Sequence, residues 1–121
     1  MREILLVDNS IFMRKYLREI LERNGYNVCG EACNGIEAFE KYKILKPNLV
    51  LMDIIMPEKN GIEALKDIIS YDKNAIVIMC SSMGQKPIIM DAVKAGASDF
   101  IIKPFKQNNV INALKRNLNN N

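Results

Sequence analysis

With 121 residues, 49% of them hydrophobic and 26% charged, the chain has the size and composition of one globular domain with a real core, not of a disordered or fibrous protein. Seventeen Lys and Arg against fourteen Asp and Glu leave a net charge of +3, a mild excess with no basic stripe and no interleaved aromatics, so no nucleic-acid partner is expected. Histidine is absent and cysteine occurs three times, which excludes a histidine nucleophile, base or phosphocarrier and every zinc site built on Cys with His or on a cysteine quartet.

Apolar runs alternate with helical-period segments. "EILLV" (3–7) reads as a strand, and 10–24 as a helix with Met13, Leu17, Ile20 and Leu21 on one face, stopped by Gly25. "NVCGEA" (27–32) is a second strand weakened by Gly30; 35–45 is a helix carrying Ala38, Phe39 and Tyr42, ended by Pro47. "NLVLM" (48–52) shows no alternation and reads as a strand buried on both faces. After the loop 56–61 come a helix over 62–71 with Ile62, Leu65, Ile68 and Ile69 inward, the strand "AIVIMC" (75–80), a helix over 86–95 ended by Gly96, the strand "DFIIK" (99–103), and a last helix over 107–118 with Val110, Ile111, Leu114 and Leu118 inward. Five β-α units call for an α/β protein: a parallel sheet with helices on both faces, in one domain spanning 1–121. Cys29 and Cys33 stand ~13 Å apart along a strand, beyond disulfide reach. Free, mostly buried thiols fit a reducing cytoplasm. The opening residues do not read as a signal peptide and no apolar run is of membrane-spanning length, so a cytoplasmic protein without membrane contact is expected. Met13, Met52, Met56, Met79, Met83 and Met90 read as core or loop packing.

Ligands of open α/β sheets bind at the carboxyl ends of the strands. The first strand ends on Asp8 and Asn9, the third on Asp53, the fourth on Ser81 and Ser82, the fifth on Lys103 before Pro104. Two carboxylates, hydroxyls and an ammonium thus converge on one rim. Two neighbouring acids repel unless a cation sits between them. Without imidazole or a thiolate cluster that cation should be hard and oxygen-loving, and Mg²⁺ is the natural choice. Lys103 and Ser81 could help neutralise a phosphoryl group, with Asp53 as the nucleophile that receives it.

Each residue alone also has a plainer reading. Asp8 could start a helix, Asn9 or Ser10 could cap one, Asp53 could be a turn residue, Ser81 and Ser82 could cap the next helix, and Lys103 could be a solvated surface lysine. Their conjunction favours the phosphoryl site. Other phosphate chemistries lack their motifs: there is no G-x-G-x-x-G, no G-x-x-x-x-G-K-[ST] and no G-x-S-x-G. The first loop, "DNSIF", lacks the Gly/Ser/Thr richness of a flavin site, and Ile55 stands where an aspartate-nucleophile hydrolase usually has a second acid.

"LLVDNS", "LVLMDIIMPEKNG", "IMCSSMG" and "AGASDFIIKPF" resemble the four signature segments of response-regulator receiver domains, over essentially the whole chain. Stand-alone length, "NGIEAFEKYKILKP" and the "SSMGQ" loop resemble the single-domain chemotaxis members. The resemblance implies the flavodoxin-like sheet order 2-1-3-4-5. It implies Asp53 as phosphoacceptor, Asp8 as a Mg²⁺ ligand with the backbone carbonyl of Ile55, and Ser81 as a hydroxyl that shifts to bond the phosphoryl group. Lys103 would pair with the phosphate through a strand end whose bond to Pro104 is cis, and Phe100 would be the aromatic that swings inward when Ser81 moves. A monomeric switch follows, not an enzyme but a phosphoacceptor that assists its own phosphorylation and dephosphorylation. Its implied partners are a chemotaxis histidine kinase, the flagellar motor switch protein and a phosphatase that clears the phosphoryl group. The rivals are a phosphorelay intermediate, the detached receiver of a DNA-binding regulator, against which a chain ending near residue 121 argues, and a Mg²⁺-dependent phosphatase.

The chain departs from the family pattern in two respects. The first strand normally ends on a pair of acids, and here Asn9 replaces the second. Asn9 can offer an amide oxygen to the metal but no charge, so weaker Mg²⁺ binding and a less strained metal-free pocket are expected. Ile55 and Met83, two residues beyond Asp53 and Ser81, are apolar and position no water, so slow self-dephosphorylation is expected.

Overall fold

The computed structural model describes residues 2–82 and 86–118. Met83, Gly84 and Gln85 therefore lie outside the described residues, and with Met83 half of the dephosphorylation expectation. The elements are β1 (Glu3–Val7), α1 (Ile11–Arg23), β2 (Asn27–Ala32), α2 (Gly35–Leu45), β3 (Leu49–Asp53), α3 (Gly61–Tyr71), β4 (Val77–Ser82), α4 (Lys86–Lys94), β5 (Asp99–Lys103) and α5 (Gln107–Leu118). The sheet is all parallel, in the order β2-β1-β3-β4-β5.

Strand alternation sorts the core into two layers. Ile4 and Leu6, Leu49 and Leu51, Ile78 and Cys80 face one side, where they pack with Leu17, Ile20 and Leu21 of α1 and Val110, Ile111 and Leu114 of α5. Leu5 and Val7, Val50 and Met52, Val77 and Met79 face the other, against Ala38 and Tyr42 of α2 and Ala64, Leu65 and Ile68 of α3. β3 is buried at all five positions, which is why its sequence carries no alternation. Each fully buried Leu or Ile contributes roughly 1.5–3 kcal/mol, so this double layer is what holds the strand ends in place.

Three helices start at the sheet's carboxyl edge with side-chain caps. Ser10 Oγ accepts from the Met13 N–H (3.2 Å), Asn34 Oδ1 from Glu37 (2.9 Å), and Asn60 forms a capping box with Glu63. The cap of α1 is thus Ser10, and Asn9 is left exposed. The edge strand β2 skips a residue: Ile4 pairs with Val28 and Leu5 with Gly30, which leaves Cys29 as a bulge. Gly30 also makes room for α2, because a Cβ there would stand 2.6 Å from Leu45 Cδ1.

Some expectations need correction. The thiols are free, but only Cys80 is buried; Cys29 and Cys33 are half-buried, because β2 is an edge strand and Cys33 lies just past its end. Met90 is not packed away: it sits on the outer face of α4 and is exposed. The fourth strand runs over Val77–Ser82 and not 75–80; it ends on Ser81 and Ser82 as the strand-end reading has it, so these serines do not cap α4.

Candidate functional site

The carboxyl edge brings four of the singled-out side chains together. Asp8 and Asp53, from the ends of β1 and β3, are 3% and 7% exposed, burial that a charged carboxylate accepts only with a partner. Lys103, from the end of β5, supplies it: Nζ stands 3.2 Å from Asp53 Oδ1 and 3.6 Å from Asp8 Oδ2. Lys103 is therefore no solvated surface lysine. Its peptide bond to Pro104 is cis. The loop that follows is pinned to α1 by the Tyr16 hydroxyl, which donates to the Phe105 carbonyl at 2.9 Å.

One ammonium does not fully serve two acids. Burial, then the negative charge of Asp8, push the Asp53 carboxyl above its ordinary range, and Lys103 offsets only part of that. Burial disfavours the Lys103 ammonium, yet Asp53 and Asp8 outweigh it and hold Lys103 above its usual value. The pocket is short of positive charge. Its hydroxyl is idle as well: Ser81 Oγ is buried and has no hydrogen-bond partner among the described residues. A buried hydroxyl without a partner costs free energy, so the fold holds an unused donor at the same sheet edge as the two under-neutralised carboxylates. Such a set fits a hard cation and an anionic oxygen ligand. The neighbouring Cys80 thiol does not compete, since burial, then the charge of Asp53, push it far up and keep it protonated.

The remaining positions sit at the rim. Asn9 is exposed beside Asp8, whose Oδ1 accepts from the Ser10 N–H at 2.9 Å. Ile55 is exposed in the β3–α3 loop. The loop backbone just before Ile55 is held by Ile54, whose N–H donates to the Cys80 carbonyl and whose carbonyl accepts from Gly61. Phe100 is 41% exposed. Its register partner is Met79, two residues before Ser81 on β4, so the aromatic and the idle hydroxyl share one sheet face. Two residues at the site, Arg14 and Glu31, are not evident from the strand-end pattern. Arg14 donates from Nη1 to the Asp8 carbonyl (2.6 Å) and from Nε to Glu31 Oε1 (2.7 Å). A cation so near a helix N-terminus, in a first turn without acids, is the one signal the sequence offers for them.

The comparisons agree with this geometry. The response regulator receiver domain family matches residues 4–115. The chain is 53% identical to the chemotaxis protein CheY of Thermotoga maritima, over 95% of this chain and 96% of that one. It is 52% identical to CheY of Bacillus subtilis, over 96% and 97%. Among solved structures, the response regulator domain of T. maritima CheB superposes with a TM-score of 0.91 at 36% identity, covering 100% of this chain and 98% of that one. The CheX-CheY-BeF3-Mg²⁺ complex of Borrelia burgdorferi superposes with a TM-score of 0.90 at 37% identity, covering 95% and 87%. No helix among the described residues is long and apolar enough to cross a membrane. Matched from end to end by receiver domains and by chemotaxis relatives of about half-identical sequence, the chain belongs to the response regulator receiver family, as a CheY-type chemotaxis regulator that accepts a phosphoryl group as a signal rather than turning over a substrate.

Proposed function

We propose that Asp53 is the phosphoacceptor, that Lys103 and Ser81 assist it, and that Mg²⁺ is the cofactor. The observation that carries this reading is the shared ammonium: Lys103 reaches Asp53 and Asp8 at once while the buried Ser81 hydroxyl is left without a partner among the described residues. Asp8, Asp53, the Asn9 amide oxygen and the Ile55 carbonyl would hold the metal, which supplies positive charge against the oxyanions of phosphoryl transfer. An Asp53 oxygen attacks the phosphorus of a phosphohistidine in line; the O–P bond forms as the P–N bond breaks, and the imidazole leaves. Lys103 offsets charge on the transferring oxygens. Ser81 then turns its hydroxyl toward a phosphoryl oxygen, Phe100 follows into the space on that face, and the surface of α4, β5 and α5 changes its affinity for a partner protein.

The reading places the protein in the cytoplasm as a monomer of one domain, without nucleic-acid or membrane contact. A CheA-like histidine kinase delivers the phosphoryl group, the flagellar motor switch protein receives the signal, and a phosphatase ends it. The CheX-bound CheY relative supports the last of these. Exposed Ile55 offers no polar group to orient water, which supports slow self-dephosphorylation.

The test is a small phosphodonor, acetyl phosphate, with and without Mg²⁺, followed by intact mass. One added phosphoryl group per chain, lost when the metal is chelated, is the expected result; labelling without Mg²⁺, or of several residues, contradicts it. Asn9→Asp should tighten Mg²⁺ binding roughly tenfold, because a charged ligand replaces a neutral one. A second acid beside Asp8 also adds repulsion to the metal-free pocket, but Asn9 is exposed, so the same substitution should destabilise the metal-free chain by no more than about 0.5 kcal/mol. Equal Mg²⁺ affinity in calorimetric titrations of the two chains would show that Asn9 does not tune the metal.

A further inference from the structure

The tie between Arg14 and the pocket has a specific form. Its side chain, 15% exposed, bridges Glu31 of β2 and the carbonyl of Asp8. That carbonyl belongs to the peptide joining Asp8 to Asn9. A peptide is planar, so fixing it sets ψ of Asp8 and φ of Asn9, and with them the directions in which both side chains leave the backbone. On the pocket side the Asp8 carboxylate has only the Ser10 N–H and Lys103 as partners among the described residues. Arg18 provides a natural contrast. It bonds the same Glu31 (2.7 Å) and also Glu22, but it makes no bond to Asp8.

We infer that Arg14 is a positioning residue for the acid pocket: by bridging Glu31 and the Asp8 carbonyl it holds the Asp8–Asn9 peptide in the orientation that serves a divalent cation. This rests on the Mg²⁺ reading above. Charge and position predict opposite signs. Removing a cation near an acidic pocket should strengthen Mg²⁺ binding if Arg14 acts only as a charge. Loss of a group that orients a metal ligand typically weakens affinity by about 10–100-fold.

The experiment is calorimetric titration of the full chain with Mg²⁺ alone, for the parent, Arg14→Gln, Arg14→Lys and Arg18→Gln. Urea unfolding without metal establishes that each chain is folded, and the Asn9 amide signal is followed by NMR. Arg14→Gln should bind Mg²⁺ at least about tenfold more weakly and shift the Asn9 amide even without metal. Arg14→Lys, which can keep one of the two bonds, should fall between it and the parent. Arg18→Gln should stay within about twofold of the parent and leave the Asn9 amide in place. Should Arg14→Gln not fold, Arg14→Lys against Arg18→Gln makes the same comparison. Binding by Arg14→Gln, or by Arg14→Lys where only that chain folds, as tight as the parent's or tighter overturns the inference, as does equal weakening in Arg18→Gln. A parent that takes up no Mg²⁺ overturns the pocket reading itself, and the inference with it.

Discussion

Asp53→Asn is expected to give a protein that acetyl phosphate no longer labels and that unfolds at a higher temperature than its parent at neutral pH. The first result follows from chemistry: an amide is no nucleophile toward phosphorus, and Asp8, the other carboxylate within reach of Lys103, stands farther from its Nζ, at 3.6 Å against 3.2 Å. The second follows from the pocket's electrostatics. Burial, then Asp8, raise the Asp53 pKa in the folded state. For an acid, a raised folded pKa means that the fold disfavours the charged form. The resulting penalty is fully present above the folded pKa and disappears below the unfolded one, near pH 3.9. Asparagine has nearly the same shape without the charge, so it removes the penalty, and Lys103 keeps Asp8 as its partner. The gain should be on the order of 1 kcal/mol, a few degrees in Tm for a chain of this size. It should fade as the pH falls toward 3, where the parent's Asp53 is itself protonated. Thermal unfolding of both chains from pH 7 to pH 3 checks the sign. A lower Tm for Asp53→Asn at pH 7 would mean that the attraction to Lys103 outweighs burial and the repulsion from Asp8.

Much of this site is legible in the sequence, because parallel sheets collect their chemistry at strand ends. "LLVD", "LVLMD" and "FIIK" are apolar runs that stop on a charge, and a buried run can stop on a charge only where something answers it. The same runs imply the two-layer architecture, while the strand order follows from family resemblance and not from periodicity. What stays hidden depends on contacts between distant segments. The bulge at Cys29 exists only relative to β1, across the register step between Ile4 and Leu5. The exposure of Met90 and the half-burial of Cys33 depend on which side of a helix or strand end is left uncovered. The bond from Arg14 to the Asp8 carbonyl spans six residues but needs Glu31 on another strand to complete it. The idle Ser81 hydroxyl is likewise a property of packing, since a serine at a strand end gives no hint whether it finds a partner.

Gly61 is where motif and packing meet, and Gly61→Ala should cripple the protein although alanine is the better helix former by about 1 kcal/mol. Gly61 opens α3, and its N–H donates to the Ile54 carbonyl at 2.7 Å. A Cβ at this position would stand 2.2 Å from the Asp53 carbonyl oxygen, 2.9 Å from Ile54 Cα and 3.0 Å from Met79 Cε. The first two are backbone atoms at the strand end that carries Asp53, and they cannot swing aside as a side-chain tip can. Either α3 backs away from the sheet or the end of β3 moves. Overpacking of this kind typically costs about 1–3 kcal/mol, and a shift of Asp53 by even ~1 Å relative to Lys103 would slow phosphoryl transfer by about 100-fold. Gly25→Ala is the control. There the backbone is left-handed (φ +88°) with nothing within 4 Å of the new methyl, so it should cost about 1 kcal/mol and leave the labelling rate untouched. Urea midpoints and acetyl phosphate labelling rates of the two variants separate the cases. A Gly61→Ala chain as stable and as reactive as its parent would mean that α3 yields freely, and that the glycine does not serve to let the helix close against Asp53.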